Sequence, residues 1–280
     1  EMRKGWTAQI QLQSGQPLHE NEPPLSYQGF VARRAAEGYQ LAFLLRAYSE
    51  IYEKGFPTEA TIAELTAAIN AKPGKYDYLA HYYLGYAYYR SWSLSGSGPQ
   101  SIEKRRHFLE QSFEPLRKAI SLAPKFSPPH HLLALGYKET ERYPDALVAV
   151  TNLIALVPQC SEAYQIRGQI IADLGSRQGF EDNFKMALEL RPNNAEALSN
   201  MGRGYSALKD WDAAIEAYKK ALTAPNKQSD GLKGEIWGNL AVAYVRKDDC
   251  RNALAAFERF GALTGFQHPF EEYCRQRLGQ

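Results

Sequence analysis

Tyrosine side chains are concentrated in one short stretch of the chain, and their spacing suits contact with another protein segment. Seven of the 18 tyrosines lie between positions 76 and 89. Tyr82, Tyr86 and Tyr89 are spaced i, i+4 and i+7, which places them on one face of a helix. Tyrosine offers a large contact area and a hydroxyl group at little cost in conformational entropy. Two interpretations stay open: this face binds a peptide, or another part of the chain, such as the first 26 residues or a long insertion, covers it.

The histidines and cysteines form no pattern typical of a catalytic or metal site. The sequence contains no glycine-rich phosphate loop after a strand, no G-x-S-x-G nucleophile elbow and no H-E-x-x-H metal motif. His130 and His131 are adjacent, so on a helix they point about 100° apart and cannot chelate one ion together. Cys160, Cys250 and Cys274 are too few and too scattered for a disulfide framework or a zinc site. The sequence therefore predicts no enzyme, no metal and no cofactor.

Charge and hydropathy argue against two further classes of protein. Lys and Arg number 33 against 31 Asp and Glu, a net charge of +2, whereas a nucleic-acid binder concentrates far more positive charge. The longest apolar runs, such as residues 41–45, are far shorter than the ~20 residues that a membrane-spanning helix needs. We therefore expect no nucleic-acid partner and no transmembrane segment in this chain.

The compartment cannot be assigned from the sequence. The chain begins with Glu1 rather than with methionine, which we interpret as the result of processing or trimming. At least one of the three cysteines must be unpaired, which favours a reducing compartment such as the cytoplasm. A periplasmic or membrane-tethered protein, with a segment removed before Glu1, is the alternative.

A repeat of 34 residues organises most of the chain. Pro124, Pro158 and Pro192 are separated by 34 residues each, and the clearest copy covers residues 195–228. That copy predicts two amphipathic helices joined by a turn at Lys209-Asp210. The apolar and small positions of the two helices are Leu198, Met201, Gly202 and Tyr205, then Ala214, Ile215, Tyr218 and Ala221. Small residues let the paired helices approach closely, and the proline ends the second helix.

This pattern resembles the tetratricopeptide repeat, a helix-turn-helix unit of 34 residues with small and aromatic residues at fixed positions. A later copy matches the pattern at Trp237, Leu240, Ala241, Tyr244, Ala253 and Phe257. The copies align at about 42–75, 78–126, 127–160, 161–194, 195–228 and 234–267. The resemblance implies an all-α fold, a right-handed α-solenoid of about six helical hairpins with a C-terminal capping helix.

The resemblance also predicts the organisation of the chain. We expect residues 1–26 to form an N-terminal arm, extended or disordered, and residues 27–41 to form an N-terminal helix. The repeat array then covers 42–267, and the capping helix lies within 268–280, because a solenoid needs a cover for its last apolar face.

Two copies depart from the repeat pattern. Copy 78–126 contains about 15 extra residues, and we expect a loop at 93–100 to interrupt it. Copy 161–194 has Arg167 at an apolar site and Phe180 at the small site of its second helix. This copy is therefore expected either to be locally splayed or to hold Arg167 against Glu181 or Asp182.

The family resemblance implies a non-catalytic scaffold that binds a peptide or protein segment in a concave groove formed by the first helices. Carrying the groove positions over to this chain predicts a set of partner-binding residues. These residues are Tyr82, Tyr86, Tyr89, His131, Leu135, Gln165, Gln169 and Arg203. The alternative function is a structural self-assembling module, a homo-oligomer in which the N-terminal arm or an exposed terminal face of one protomer docks on the next.

Some members of the family bind the acidic tails of chaperones through a clamp of cationic residues and asparagines. Asn200 and Asn239 match the asparagine site of such a clamp. The cationic sites are occupied instead by Gln165, Ser199 and Glu235. We therefore do not expect this chain to bind chaperone tails.

Overall fold

The computed structural model describes residues 44, 47–48, 50, 57–70, 76–94, 99–225 and 228–279. The predicted N-terminal arm at 1–26 and N-terminal helix at 27–41 lie outside the described residues. The described part of the chain contains twelve long helices and no strand. The helices are α1 (Glu59–Asn70), α2 (Asp77–Leu94), α3 (Pro99–Leu122), α4 (Pro128–Glu139), α5 (Tyr143–Leu156), α6 (Ser161–Asp173), α7 (Arg177–Leu190), α8 (Ala195–Ala207), α9 (Trp211–Leu222), α10 (Asp230–Arg246), α11 (Cys250–Thr264) and α12 (Phe270–Leu278).

Ten of these helices form five hairpins that stack in chain order. The hairpins are α2/α3, α4/α5, α6/α7, α8/α9 and α10/α11, and each packs against the next. Helix α1 packs against α2 at one end of the stack, and α12 covers α11 and part of α10 at the other. The all-α solenoid and its capping helix, both predicted from the sequence, are therefore confirmed.

Side-chain caps define where several of the helices begin. Oδ1 of Asn194 accepts hydrogen bonds from the backbone N–H groups of Glu196 and Ala197 at the start of α8. Asp210 and Asp249 cap α9 and α11 in the same way. Such caps satisfy N–H groups that have no carbonyl partner within the helix. The second helices α9 and α11 therefore begin at a fixed residue after a short turn.

The turn inside four of the hairpins contains one residue in the left-handed backbone conformation. These residues are Glu141, Gly175, Lys209 and Asp248, with φ values of 58°, 82°, 59° and 61°. The first three are separated by 34 residues each, so the repeat specifies the same backbone turn every time. The turn predicted at Lys209-Asp210 is confirmed.

Small residues allow the two helices of a hairpin to approach closely, as the sequence predicts. A Cβ atom on Gly202 of α8 would lie 2.5 Å from Cε1 of Tyr218 on α9. A Cβ atom on Gly85 of α2 would similarly lie 2.6 Å from Cγ of Leu116 on α3. Real Cβ atoms do not tolerate such distances, so the ring and the aliphatic side chain fill space that only glycine leaves open.

The extra residues of copy 78–126 extend its helices, which corrects the predicted loop at 93–100. Helix α2 continues to Leu94, and α3 begins at Pro99 and contains 24 residues. Proline suits the first turn of a helix, because the N–H group that it lacks would have no helical partner there. Residues 93–94 and 99–100 of the predicted loop are therefore helical.

Copy 161–194 accommodates both of its unusual residues within a closed hairpin. Phe180 is completely buried in the core between this copy and the next. Arg167 donates a hydrogen bond from Nε to Oδ1 of Asn183 at 2.6 Å. The arginine therefore pairs with an amide on the facing helix rather than with Glu181 or Asp182, the partners that the sequence suggested.

Candidate functional site

The first helices of successive hairpins lie side by side and form one surface, here called the first-helix face. It consists of α2, α4, α6, α8 and α10, each of which contacts the next. All eight predicted partner-binding residues belong to these helices. Tyr82, Tyr86 and Tyr89 lie on α2, His131 and Leu135 on α4, Gln165 and Gln169 on α6, and Arg203 on α8.

Tyr82 is buried, so it is not a contact residue on an open surface. Its side chain is only 8% exposed. Phe126, in the turn between α3 and α4, covers it edge-on with a distance of 5.2 Å between the ring centroids. On its other side Tyr82 stacks on Tyr86, with centroids 6.0 Å apart and an angle of 2° between the rings. Among the described residues, Phe126, which follows the extended helix α3, therefore contributes to the cover of Tyr82.

Tyr86 and Tyr89 on α2 and Leu135 on α4 are apolar side chains of the first-helix face that remain partly exposed. All three are half-buried and pack against the same core, which includes Phe113 and Tyr137. Aromatic residues with some remaining exposure provide contact area that a partner can complete. These three side chains, unlike that of Tyr82, keep part of their surface exposed among the described residues.

The aromatic side chains of Tyr86 and Tyr89 are continued along α2 by Trp92. The centroid of the Tyr89 ring lies 5.0 Å from that of Trp92, and the guanidinium of Arg105 lies over the Trp92 ring at 5.5 Å. Burial raises the pKa of Tyr89 far above its usual range, and the carboxylates of Glu139 and Glu162 raise it further. The phenol is therefore protonated at any physiological pH and can act as a hydrogen-bond donor.

Two amide side chains of α6 connect this helix to its neighbours on both sides. Gln165 is 5% exposed, and its Oε1 accepts a hydrogen bond of 3.0 Å from Nδ2 of Asn200 on α8. Oε1 of Gln169 accepts a hydrogen bond of 3.1 Å from Nζ of Lys138 on α4. Gln165 is therefore a structural residue of the face, whereas Gln169 is partly accessible.

Two contacts with glutamate side chains continue this pattern along the first-helix face. Nε2 of His131 on α4 lies 3.2 Å from Oε1 of Glu162 on α6. The His131 imidazole lowers the pKa of the Glu162 carboxyl below its ordinary value, although partial burial opposes the effect. Arg203 on α8 faces Glu235 on α10 at 3.9 Å, and both side chains are about half exposed.

The polar residues predicted for the site thus contact neighbouring first helices rather than one another. Their partners are Lys138, Glu162, Asn200 and Glu235. In each pair the residues are separated by about one repeat length, for example 31 residues for Lys138 and Gln169. A search for complementary polar residues at that separation could have found these pairs, whereas the covering role of Phe126 has no such signal.

The part of the chain that the structure describes contains no group of three His, Cys, Asp or Glu side chains placed to hold a metal ion. His130, the neighbour of His131, is 5% exposed, and burial lowers its pKa. In the same ranges, no helix is both long enough and apolar enough to cross a membrane.

Comparison with known proteins agrees with the repeat architecture. Residues 195–224 match the tetratricopeptide repeat family. Anaphase-promoting complex subunit 3 of Schizosaccharomyces pombe is 25% identical over 126 residues, covering 45% of this chain and 19% of that protein. Hsp70-Hsp90 organizing protein 2 of Arabidopsis thaliana is 35% identical over 101 residues, covering 35% of this chain and 17% of that protein. The chain therefore matches less than a fifth of the length of either relative.

A solved structure supports the fold over most of the chain. The crystal structure of the APC/C hetero-tetramer Cut9-Hcn1 has a TM-score of 0.54 and 15% sequence identity. The similarity covers 90% of this chain and 53% of the matched chain. Together with the family match over residues 195–224 and the five stacked hairpins, this similarity supports a fold built from tetratricopeptide-like repeats. Proteins built from this repeat are protein-interaction scaffolds, and no enzymatic family is indicated.

Proposed function

We propose that this chain is a non-catalytic scaffold that binds a peptide or protein segment along its first-helix face. The observation that supports the proposal is the partial exposure of Tyr86, Tyr89 and Leu135 on the face that also carries a row of polar contacts between repeats. These three apolar side chains would anchor the segment, and Gln169 and Arg203 would supply polar contacts. His131, beside Glu162, lies between the two regions.

The relatives suggest the kind of partner without naming it. Their names describe an Hsp70-Hsp90 organizing protein and a subunit of the anaphase-promoting complex, and both fit assembly by protein contacts. The chaperone-tail clamp is not part of our proposal, because Gln165 stands at one of its cationic sites and is buried against Asn200. Glu235 stands at another of these sites and would repel an acidic tail.

Photocrosslinking tests where the partner binds. A photoreactive amino acid replaces Leu135 in one chain and Val148 in another, since Val148 is 63% exposed on the second helix α5. Both chains are added to native extract, irradiated and analysed by mass spectrometry. We expect one partner to crosslink through position 135 and not through position 148. Equal labelling from both positions would contradict the proposed face.

Self-assembly is the competing outcome of the same experiment. If position 135 crosslinks only to a second copy of this chain, the module is structural and homo-oligomeric. Light scattering against protein concentration, with and without residues 1–26, then shows whether the arm is needed for association.

A further inference from the structure

The α2/α3 hairpin extends beyond the hairpin that packs against it. Helix α3 contains 24 residues, whereas α4 and α5 contain 12 and 14. Near the end of α4, a Cβ atom on Gly136 would lie 3.4 Å from Cδ1 of Leu109, so α4 ends beside this part of α3. The first two turns of α3 therefore extend roughly 10 Å past α4. We call residues 90–94 of α2 and 99–108 of α3 the hairpin tip.

The hairpin tip exposes two large apolar side chains. In the described part of the chain, Leu94 is 42% exposed and Ile102 is 59% exposed. Ile102 lies seven residues before Leu109, so both share one face of α3. That face is buried at Leu109, beside the end of α4, and exposed at Ile102, where α3 extends past α4. The core-facing side of α3 thus continues as an apolar surface at the hairpin tip.

Positive charge is concentrated around these apolar side chains. The hairpin tip contains Arg90, Lys104, Arg105 and Arg106 but only one acidic residue, Glu103. The 29 basic and 30 acidic residues elsewhere give the rest of the chain a net charge of −1. The tip therefore accounts for the net positive charge of the whole protein, and it would attract an anionic surface.

Aromatic rings position two of the basic groups without neutralising them. The guanidinium of Arg105 lies over the ring of Trp92 on α2, 5.5 Å from its centroid. Nζ of Lys104 lies 5.7 Å from the centroid of the Phe108 ring. A cation that contacts the face of an aromatic ring keeps its full charge. Lys104 and Arg106 are both exposed, so they can reach a partner directly.

We propose that the hairpin tip binds the surface of a membrane that contains anionic lipids. Leu94 and Ile102 enter the interfacial layer, and Lys104 and Arg106 contact the lipid phosphate groups. The long aliphatic parts of Lys and Arg let their charges reach the headgroups from beside an inserted apolar side chain. An acidic protein segment would pair with the charges, but a protruding tip offers it no groove, whereas a bilayer accepts a convex apolar and basic surface.

Co-sedimentation of the full chain with lipid vesicles tests the proposal. One set of vesicles contains phosphatidylcholine alone, and the other contains phosphatidylserine in addition. We expect the chain to bind the second set and not the first. High salt should weaken this binding, because it screens the attraction between the basic side chains and the anionic lipids. Equal binding to both sets, or binding to neither, would overturn the proposal.

Charge reversal at the hairpin tip tests whether this surface is responsible. Lys104→Glu/Arg106→Glu should weaken binding to the anionic vesicles by about tenfold or more. Lys220→Glu/Arg251→Glu is the matched control, since it changes the net charge equally at exposed positions on α9 and α11. The control should bind like the wild type. An equal loss of binding in both double variants would mean that total charge, rather than the tip, governs the attraction.

Removal of the apolar side chains tests insertion into the interfacial layer. Leu94→Ser/Ile102→Ser should also weaken binding by about tenfold or more. Val148→Ser/Leu174→Ser removes side chains that are 63% and 54% exposed away from the hairpin tip, and it should bind like the wild type. Circular dichroism confirms equal helical content in all variants. Wild-type affinity in Leu94→Ser/Ile102→Ser would contradict insertion.

Two other occupants of the hairpin tip would give different results. A chain that binds soluble polyglutamate but no vesicles would assign the tip to an acidic protein segment. A chain that binds no vesicles, and whose oligomers disappear in Leu94→Ser/Ile102→Ser, would assign it to a second copy. Either result overturns the proposal. Both tip variants should still crosslink the protein partner through position 135, so failure of membrane binding is distinguishable from failure of the proposed function.

Discussion

The ring of Phe180 fills the space that a side chain at Gly204 would need. A Cβ atom on Gly204 would lie 2.1 Å from Cε2 of that ring. Phe180 occupies the position where the repeat usually has a small residue. The small residue that makes room for its ring is instead Gly204, in the first helix of the next repeat. The ring also meets Tyr205 edge-on, with centroids 4.9 Å apart. A bulky residue of one repeat is thus accommodated by a glycine in the first helix of the next repeat.

Substitution of Gly204 by alanine should therefore destabilise the protein. We expect a loss of about 1–3 kcal/mol in the free energy of unfolding, because the added methyl group must displace a fully buried ring. Urea unfolding measures the change. Gly231→Ala is the matched control, since its Cβ would meet nothing closer than 4.0 Å, and it should leave stability unchanged or slightly raised.

The double variant Gly204→Ala/Phe180→Ala tests whether the two positions are coupled. Phe180→Ala alone leaves a cavity and should cost about 3–5 kcal/mol. In the double variant the alanine at 204 no longer clashes with a ring. The double variant should therefore lose less free energy of unfolding than the sum of the losses in the two single variants. Strict additivity of the two effects would show that the ring and the glycine do not share this space.

The junctions between repeats show which parts of the fold the sequence predicts and which it does not. The 34-residue spacing, the turn at Lys209-Asp210 and the packing of Gly202 against Tyr218 follow from contacts inside one repeat. Phe180 was misjudged because its compensating residue, Gly204, belongs to the next repeat. The pattern of a single copy contains no information about that neighbour.

The same limit explains what was missed in the candidate site. The helical spacing correctly places Tyr82, Tyr86 and Tyr89 on one face, but it cannot show that Phe126 covers the first of them. The burial of Cys250 and Cys274 in one core likewise depends on how α12 folds back. Exposure and pairing are tertiary properties, whereas helical spacing predicts only which residues share a face.

Replacing Lys209 by glycine should stabilise the protein. Lys209 has a φ of 59°, where a side chain is strained, and the equivalent turn one repeat earlier uses Gly175. We expect Lys209→Gly to raise the free energy of unfolding by about 0.5–1 kcal/mol. Lys209→Ala keeps the strained Cβ and serves as the control. Equal stability of the two variants would mean that the turn stores no strain.

Loss of the amide contact between α6 and α8 should lower the free energy of unfolding more than loss of the charged contact between α8 and α10. Asn200→Ala leaves Oε1 of the buried Gln165 without its partner, a cost of about 1–3 kcal/mol. Arg203→Ala removes an exposed ion pair of 3.9 Å and should change stability by less than about 0.5 kcal/mol. Urea unfolding of both variants checks the order, and a reversed order would contradict this account of the first-helix face.

Acidification should weaken the docking of the capping helix through His268. Burial lowers the pKa of His268 below its ordinary value, although Glu271 opposes this, and Nδ1 of the ring accepts the backbone N–H of Phe270 at 3.2 Å. Because the unfolded histidine binds a proton more readily, its stabilising contribution is present above pH ~6.5 and is lost as the pH falls through the lowered native value.

Hydrogen exchange of α12 between pH 7.5 and pH 5, corrected for the intrinsic rate, measures this effect. The wild type should lose protection as the pH falls. His268→Asn lacks the titrating ring and should show a smaller loss over the same range. An identical pH dependence in the two proteins would exclude His268 as the cause.

The affinity of the captured partner segment for variants of the first-helix face tests the central claim most directly. Isothermal titration compares the wild type with Tyr86→Ala, with Leu135→Ala and with the control Val148→Ala, once circular dichroism has shown equal helical content. Tyr82→Ala is unsuitable, because truncating this buried ring would destabilise the core. We predict that Tyr86→Ala and Leu135→Ala each weaken binding about tenfold or more, whereas Val148→Ala leaves it unchanged. Unchanged affinity in Tyr86→Ala and Leu135→Ala would contradict the assignment of the binding site to this face.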